Sequence, residues 1–423
     1  MEIIAVFRIE TINDAKVTTY TKSQKLKKSR LNAIDSLPLF ASEVVKIGRG
    51  KYCDVRIDNP VISLHHATIW SVQFDCDTPP LVYINDNSRN RLLLNDKDLH
   101  KGETRILKDG DTLEFKSAAI FTYETLEVDD DTQDNSTLTI DTWNISDSLI
   151  GTGSFGSVFV ASSSTDYKLY AVKVLKSGSK STEYDLLRTV NHPNIIKIHE
   201  AVIIDSSMYL FQELACGGDL FSYLVKDNHL RAIPEQEAIF IVFQIMKAVQ
   251  FLHNNLKIVH RDLKLDNVLM QIPLPKSRIY ICDFGIAKKL TCSRTNTSVG
   301  TIEYSAPEVF NIDSKGKVFQ PYNYNCDLWS LGVVTHILLT GISPFYSESK
   351  EQILMMARRG QLNFAKKQFV HISKNAKAFL SALLRVDPRL RVDANDSFNC
   401  AWIASNRAKL ERFYRERIAD AQN

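Results

Sequence analysis

The sequence has no paired-cysteine motif, no apolar run long enough to cross a bilayer and almost no net charge. Its seven cysteines (Cys53, Cys76, Cys216, Cys282, Cys292, Cys326 and Cys400) are scattered over 423 residues, and none forms a C-x-x-C pair. That pattern excludes a disulfide framework and reads as reduced thiols in cytosol or nucleus. The longest apolar run, Leu328 to Thr340, falls short of the roughly 20 residues a membrane helix needs, and reads as a buried helix. The start, Met1-Glu2-Ile3-Ile4-Ala5-Val6-Phe7-Arg8, is broken by charge too early for a signal peptide and alternates like a strand. A formal charge of +3 supplies no global attraction to nucleic acid or membrane, so neither is expected as a partner. What is present is 44% apolar content and enough length for two or three domains.

The densest chemistry lies in Val259-His260-Arg261-Asp262-Leu263-Lys264-Leu265-Asp266-Asn267 and Asp283-Phe284-Gly285. Phosphoryl transfer to a hydroxyl needs a carboxylate to orient the acceptor, oxygen ligands for Mg²⁺ and a cation to meet developing charge. Asp262 supplies the first, Asn267 and Asp283 the second, and Lys264 the third. The order H-R-D-x-K-x-x-N, then D-F-G, resembles a eukaryotic protein kinase, and Lys264 resembles the Ser/Thr-specific branch. Gly151-Thr152-Gly153-Ser154-Phe155-Gly156-Ser157-Val158 would suit a dinucleotide fold equally well on its own. The trailing Val158 and the later Ala171-Val172-Lys173 decide for the kinase version.

The resemblance implies ATP as donor and Mg²⁺ as cofactor. It implies an ATP site at Ile150, Gly151, Gly153, Gly156, Val158, Ala171, Lys173, Gln212, Glu213, Ala215 and Asp219, with Glu183 pairing Lys173. Glu213 and Ala215 would face adenine, with Gln212 at the back of that pocket. Thr297 and Thr301 match activation-loop phosphosites. Asp219 and Asp266 match positions that face substrate and favour Arg upstream of the acceptor. Arg391 matches the partner of Glu308 in Ala306-Pro307-Glu308.

Residues 1–125 read differently, as short strands with turn signals: Ile3–Ile9, Val44–Ile47, Asp54–Ile57, Ala67–Val72, Leu81–Ile84, Arg91–Leu94, Asp111–Phe115 and Ala119–Tyr123. That is the pattern of a β-sandwich. Gly48-Arg49-Gly50, Ser63-Leu64-His65-His66 and Asp86-Asn87-Ser88-Arg89-Asn90 fall on its loops, and here the sequence resembles a forkhead-associated (FHA) domain. A phosphate accepts and never donates, so it needs guanidinium, hydroxyl or amide donors converging on it. The resemblance implies phosphothreonine binding by Arg49 and Ser63, with Arg89 as a second cation and Asn90 on the peptide main chain. Arg91 departs from the family, where Gly is usual. His66 matches a structural position.

The expected fold is therefore multidomain: an all-β FHA sandwich followed by an α+β bilobal kinase fold. Residues 1–125 are the FHA domain, 126–143 an acidic flexible linker, 144–404 the catalytic domain and 405–423 a helical tail. This architecture resembles the checkpoint kinase 2 group. The short length, single FHA domain and sparse Thr-Gln dipeptides resemble the fungal meiosis-specific member most. That implies nuclear localisation, a phosphothreonine partner from the chromosome axis or damage response, and transient dimerisation during activation. A mitotic damage kinase of the same architecture, or a catalytically dead scaffold, are the competing readings.

Overall fold

The computed structural model describes residues 3–13, 15–19, 34–74, 79–126, 138–153, 156–166, 168–175, 184, 187–205, 207–226, 229–284, 299–310 and 324–419. They fall into two compact units, Met1–Val174 and Leu175–Asn423.

The first unit carries β1 (Ile3–Thr11), β2 (Lys16–Thr19), β3 (Ile34–Phe40), β4 (Val44–Gly48), β5 (Val55–Asp58), β6 (Ala67–Val72), β7 (Leu81–Asp86), β8 (Leu92–Leu94), β9 (Lys97–Leu99), β10 (Thr104–Ile106), β11 (Thr112–Phe115) and β12 (Ala119–Thr125). They form two sheets of order β3-β1-β12-β11-β8-β9 and β10-β7-β6-β4-β5-β2. Alternation fixes which face is buried. In β1, Ala5, Phe7 and Ile9 turn inward and join Ile47, Ile57, Ile69, Ile84, Phe115 and Phe121 of both sheets in one core. Pairing is antiparallel except between β4 and β5, where Ile47 faces Val55.

The strands the sequence pattern does not reveal are β2, β3, β9 and β10, and these are the four sheet edges. β2, β9 and β10 span only three or four residues, and β3 is interrupted by Pro38, so their apolar signature is weak. Pro38 sits in β3 opposite Val6, a position an edge strand tolerates because no further strand needs its missing N–H.

Four more strands follow: β13 (Leu138–Ile140), β14 (Trp143–Gly153), β15 (Gly156–Ser163) and β16 (Leu169–Leu175). β13 corrects the linker boundaries. Leu138–Ile140 lies inside the segment 126–143 yet pairs antiparallel with β14 in the register Leu138↔Ile145. Ile140 is buried, which composition averaged over an acidic stretch conceals.

The second unit carries β17 (Ile198–Ile204), β18 (Ser207–Glu213), α1 (Leu220–Leu224), β19 (Val225–Lys226), β20 (His229–Leu230), α2 (Glu235–Phe251), β21 (Val268–Met270), β22 (Ile279–Ile281), α3 (Val299–Tyr304), α4 (Asn325–Thr340), α5 (Lys350–Arg359), α6 (Lys374–Leu383), α7 (Ala401–Ala404) and α8 (Arg407–Tyr414). Helix α2 starts after Pro234, with Glu235 and Glu237 in its first turn, where acids suit the helix dipole. Helix α4 is buried from Cys326 to Thr340, so it carries no amphipathic stripe. It stops at Gly341, whose φ is +72° and whose missing Cβ would lie 2.8 Å from the Leu230 carbonyl oxygen.

Arg391 is fully buried and forks onto Glu308 at 2.6 and 2.9 Å. Breaking such a pair by removing one partner costs about 3–5 kcal/mol, because the other charge is left unpaired. Helix α8 is packed: Leu410 is buried, and Lys247 Nζ meets Glu411 at 2.8 Å. Most of the acidic stretch after residue 126 lies outside the described residues.

Candidate functional site

The first unit brings its three loops together mainly through main-chain bonds. Arg49 N–H donates to the Ser63 carbonyl and Gly50 N–H to the Leu64 carbonyl, each at 3.0 Å. There is no room for side chains at this contact. A Cβ on Gly48 would lie 2.7 Å from the Leu64 oxygen, and one on Gly50 would lie 2.5 Å from it. Arg89 N–H donates to Ser63 Oγ at 3.1 Å, which leaves the Ser63 hydroxyl proton to donate elsewhere. Asn90 Nδ2 donates to the Val61 carbonyl at 2.6 Å, so its amide oxygen is the atom available to a peptide N–H. The Arg49 and Arg89 side chains are exposed beside these loops.

His66 lies beneath, fully buried against Phe115 at 5.5 Å between ring centroids, and its Nδ1 accepts from Ser63 N–H at 3.1 Å. Burial holds its pKa below the ordinary histidine value, which keeps that acceptor. His65 instead meets Thr68 Oγ1 at 2.8 Å. Arg91, where glycine would be usual, has φ +69°. The turn keeps its left-handed geometry at a cost of roughly 1–2 kcal/mol, and the Arg91 guanidinium pairs with Asp98.

Ile150 and Gly151 lie on β14, with Gly151 opposite Val158 and Gly153 opposite Gly156 on β15. Ala171 and Lys173 are buried on β16. Glu183, Arg294 and Thr297 lie outside the described residues, and Thr301 falls within α3.

In the second unit the β21–β22 hairpin places the catalytic stretch. Asn267 immediately precedes β21 and Asp283 follows β22. Val268 pairs with Ile281, so Cys282 N–H reaches the Asn267 carbonyl at 3.0 Å. Topology thereby brings the neighbourhoods of the two oxygen ligands to one end of one hairpin. Asn267 Nδ2 donates to the Asp262 carbonyl at 2.7 Å and to Asp262 Oδ2 at 3.1 Å. Lys264 Nζ lies 3.3 Å from the same Asp262 oxygen. Asp283 has φ +61°, and Phe284 after it is buried with its ring 4.8 Å from the His260 ring.

The residue that the sequence motifs do not mark is Asp327, which stands just before the apolar run Leu328 to Thr340. It is fully buried. Its Oδ2 accepts from His260 N–H at 2.9 Å and meets His253 Nε2 at 2.8 Å, while Oδ1 accepts from Arg261 N–H at 2.9 Å. Burial opposes its charge, but the bond and charge of His253, then His260 and the Arg261 N–H, hold its carboxyl below the ordinary value. Arg261 has φ +71°, so this carboxylate fixes a strained turn immediately before Asp262. The readable signal was the one acid in a helix that is otherwise uncharged, placed in its first turn.

Asp219 caps α1, accepting from Ser222 N–H at 2.7 Å and Ser222 Oγ at 3.0 Å. Burial raises its pKa, the Ser222 bonds oppose the rise, and the nearby Asp266 charge adds to it. The two carboxylates are therefore electrostatic neighbours. Gln212 and Glu213 end β18 half-buried, and Ala215 is buried just beyond.

A glycine-bearing hairpin, a lysine on the strand after it and a catalytic loop carrying Asp262, Lys264 and Asn267 define a protein kinase. Residues 145–403 match the protein kinase domain and residues 45–116 the FHA domain. The chain belongs to the protein kinase family; it is a Ser/Thr protein kinase carrying an FHA domain, uses ATP, and acts on protein substrates. It is 39% identical to the meiosis-specific serine/threonine-protein kinase MEK1 of Saccharomyces cerevisiae, over 92% of this chain and 86% of that protein. It is 33% identical to the meiosis-specific serine/threonine-protein kinase mek1 of Schizosaccharomyces pombe, over 89% of this chain and 85% of the other. Among solved structures it resembles Rad53 1–466 in complex with AMP-PNP, at TM-score 0.52 and 25% identity, over 94% of this chain and all of that one.

Proposed function

We propose that this kinase acts in meiosis, in the nucleus, recruited through a phosphothreonine on a chromosome-associated partner and phosphorylating Ser or Thr with Arg upstream. Two relatives whose names carry a meiotic role, at 39% and 33% identity over most of the chain, favour this over the mitotic reading. The observation that carries the chemistry is the grouping of Lys264 and Asn267 on one oxygen of Asp262.

Asp262 orients the acceptor hydroxyl and takes up its proton. Lys264 stays within reach of both that carboxylate and the transferred phosphoryl group. Lys173 holds the donor phosphates, with Glu183 as its partner. Asn267 and Asp283 offer the one or two oxygen ligands with which proteins usually hold Mg²⁺, the rest coming from phosphates and water. When bound, that ion neutralises phosphate charge. Asp219 and Asp266, a carboxylate pair whose charges already repel, favour a guanidinium between them. Arg294 stands three residues before Thr297, so the activation loop itself carries the pattern this pair selects. Thr297 is then a substrate for a second molecule, with Thr301 as another site. Phosphate at Thr297 would pair with Arg261 and order the loop.

Arg49→Ala tests the division of labour. Phosphothreonine-peptide affinity should fall about ten- to a hundredfold, since a charge-assisted bond contributes roughly 1.5–3 kcal/mol. Phosphorylation of a soluble Arg-x-x-Ser peptide should be unchanged. Equal calorimetric affinity of the wild type for phosphorylated and unphosphorylated peptide would overturn the recruitment reading.

A further inference from the structure

The end of β18 is tied to the C-terminal helix by an unbroken chain of side-chain and main-chain bonds. Tyr414 on α8 donates from its hydroxyl to Asn194 Oδ1 at 2.8 Å. Asn194 is fully buried, and its Nδ2 donates to the Ile279 carbonyl at 2.8 Å and to Gln244 Oε1 at 3.0 Å. Gln244, also fully buried, accepts from Ile279 N–H at 3.0 Å and donates to the Ser277 carbonyl at 3.0 Å. Both main-chain groups of Ile279 are thus gripped by two buried amides.

The residues on either side of Ile279 reach the other way. Tyr280 donates from its hydroxyl to Glu213 Oε1 at 2.9 Å. Arg278 places Nη1 3.4 Å from the same oxygen, and its Nε donates to the Pro193 carbonyl at 2.6 Å. Its guanidinium also lies over the Tyr280 ring, 4.4 Å from the centroid. Buried amides and a buried guanidinium have no water to substitute for a lost partner, so a displacement at one end passes along the set.

Resting on the adenine-facing role given above to Glu213 and Ala215, we propose that Arg278, Tyr280 and Tyr414 are positioning residues that fix Glu213. Helix α8 then sets nucleotide affinity from the far end of the chain. Tyr414→Phe strips Asn194 Oδ1 of the Tyr414 bond and loosens the hold on Ile279. Tyr280→Phe removes one of the two side chains that hold the Glu213 carboxylate. Both changes keep the ring and its packing.

The test uses the full-length kinase, a soluble Arg-x-x-Ser peptide and the variants Tyr414→Phe, Tyr280→Phe and their double. Each single variant should raise KM for ATP about three- to tenfold, the equilibrium equivalent of one hydrogen bond. kcat should stay within about twofold and peptide KM should not move. The double should fall well short of the product of the singles, because both act on one chain. An unchanged KM for ATP, with or without a lower melting temperature, would reduce the network to a structural tie. A strictly multiplicative double would sever α8 from Glu213. Gln212→Gly, run in parallel with a bulky N6-substituted ATP analogue, tests the pocket reading separately. If it admits the analogue while the tyrosine variants leave KM alone, only the positioning role falls. If it changes nothing, the adenine-facing reading falls and the positioning role with it.

Discussion

The loops that carry Arg49 and Ser63 are held to each other by main chain, and the loop that carries Asp262 is held by one buried side chain. In the FHA unit, Arg49 and Gly50 bond directly to the carbonyls of Ser63 and Leu64, and glycines let the backbones close. In the kinase unit, Asp327 reaches from α4 to the N–H groups of His260 and Arg261. A binding loop only has to present donors to a phosphate that leaves unchanged. The catalytic loop must hold one carboxylate against a strained turn while a phosphoryl group passes. Main-chain closure makes the first robust to most side-chain changes and sensitive to glycine. Reliance on one carboxylate makes the second sensitive at a residue that touches no substrate.

Breaking the second arrangement should have the largest effect. Asp327→Asn removes the charge and one acceptor from the three groups it holds. A displaced catalytic group commonly costs on the order of 10²-fold, so kcat should fall by about that factor, with phosphothreonine-peptide binding intact. Near wild-type turnover would mean that Arg261 keeps its turn without help.

Gly50→Ala strikes the first arrangement. Its Cβ would meet the Leu64 carbonyl oxygen at 2.5 Å, so the loop bearing Ser63 has to shift. Phosphopeptide affinity should drop about tenfold, measured by calorimetry, while peptide phosphorylation is unaffected. Retained affinity would show that the close backbone approach is not needed.

Acid should separate the two units more gently. Burial first, then the Arg278 and Lys247 charges, lower the His192 pKa to about 4, and burial lowers His336 to about 4 as well. A histidine depressed in the fold contributes stability above its ordinary pKa, about 6.5. That contribution is lost as pH falls from there toward 4. In the FHA unit, His65 and His66 are lowered too, in the same direction. Calorimetry between pH 7 and pH 5 should show both transitions falling, the kinase transition by more.

What the sequence made legible follows the same division. The FHA loops were readable because glycine, serine, arginine and asparagine are there for their own chemistry. The interior strands β1 and β12 were readable from alternation, whereas the edges β2, β9 and β10 are too short to leave a pattern and Pro38 interrupts that of β3. Asp262, Lys264, Asn267 and Asp283 announced themselves by spacing. Asp327 did not, because its partners, two main-chain N–H groups and the His253 ring, lie 66, 67 and 74 residues away, and pairings of that kind have no sequence motif. The Tyr414–Asn194 bond spans 220 residues and was hidden for the same reason. Arg91 was visible as a departure from the family, but only the fold reveals that the turn survives it at positive φ.

The central claim is that the two units serve one purpose, recruitment by phosphate leading to activation by phosphate. The most direct measurement mixes an inactive Lys173→Arg molecule with an active one and follows phosphate at Thr297 of the inactive molecule by mass spectrometry, with and without a multiply phosphorylated scaffold. The account predicts that the inactive molecule gains Thr297 phosphate at a rate that rises with kinase concentration. The scaffold should accelerate it, through local concentrations toward the millimolar range, only when Arg49 is intact. An inactive molecule that never gains phosphate, or a rate indifferent to concentration and scaffold, would contradict it.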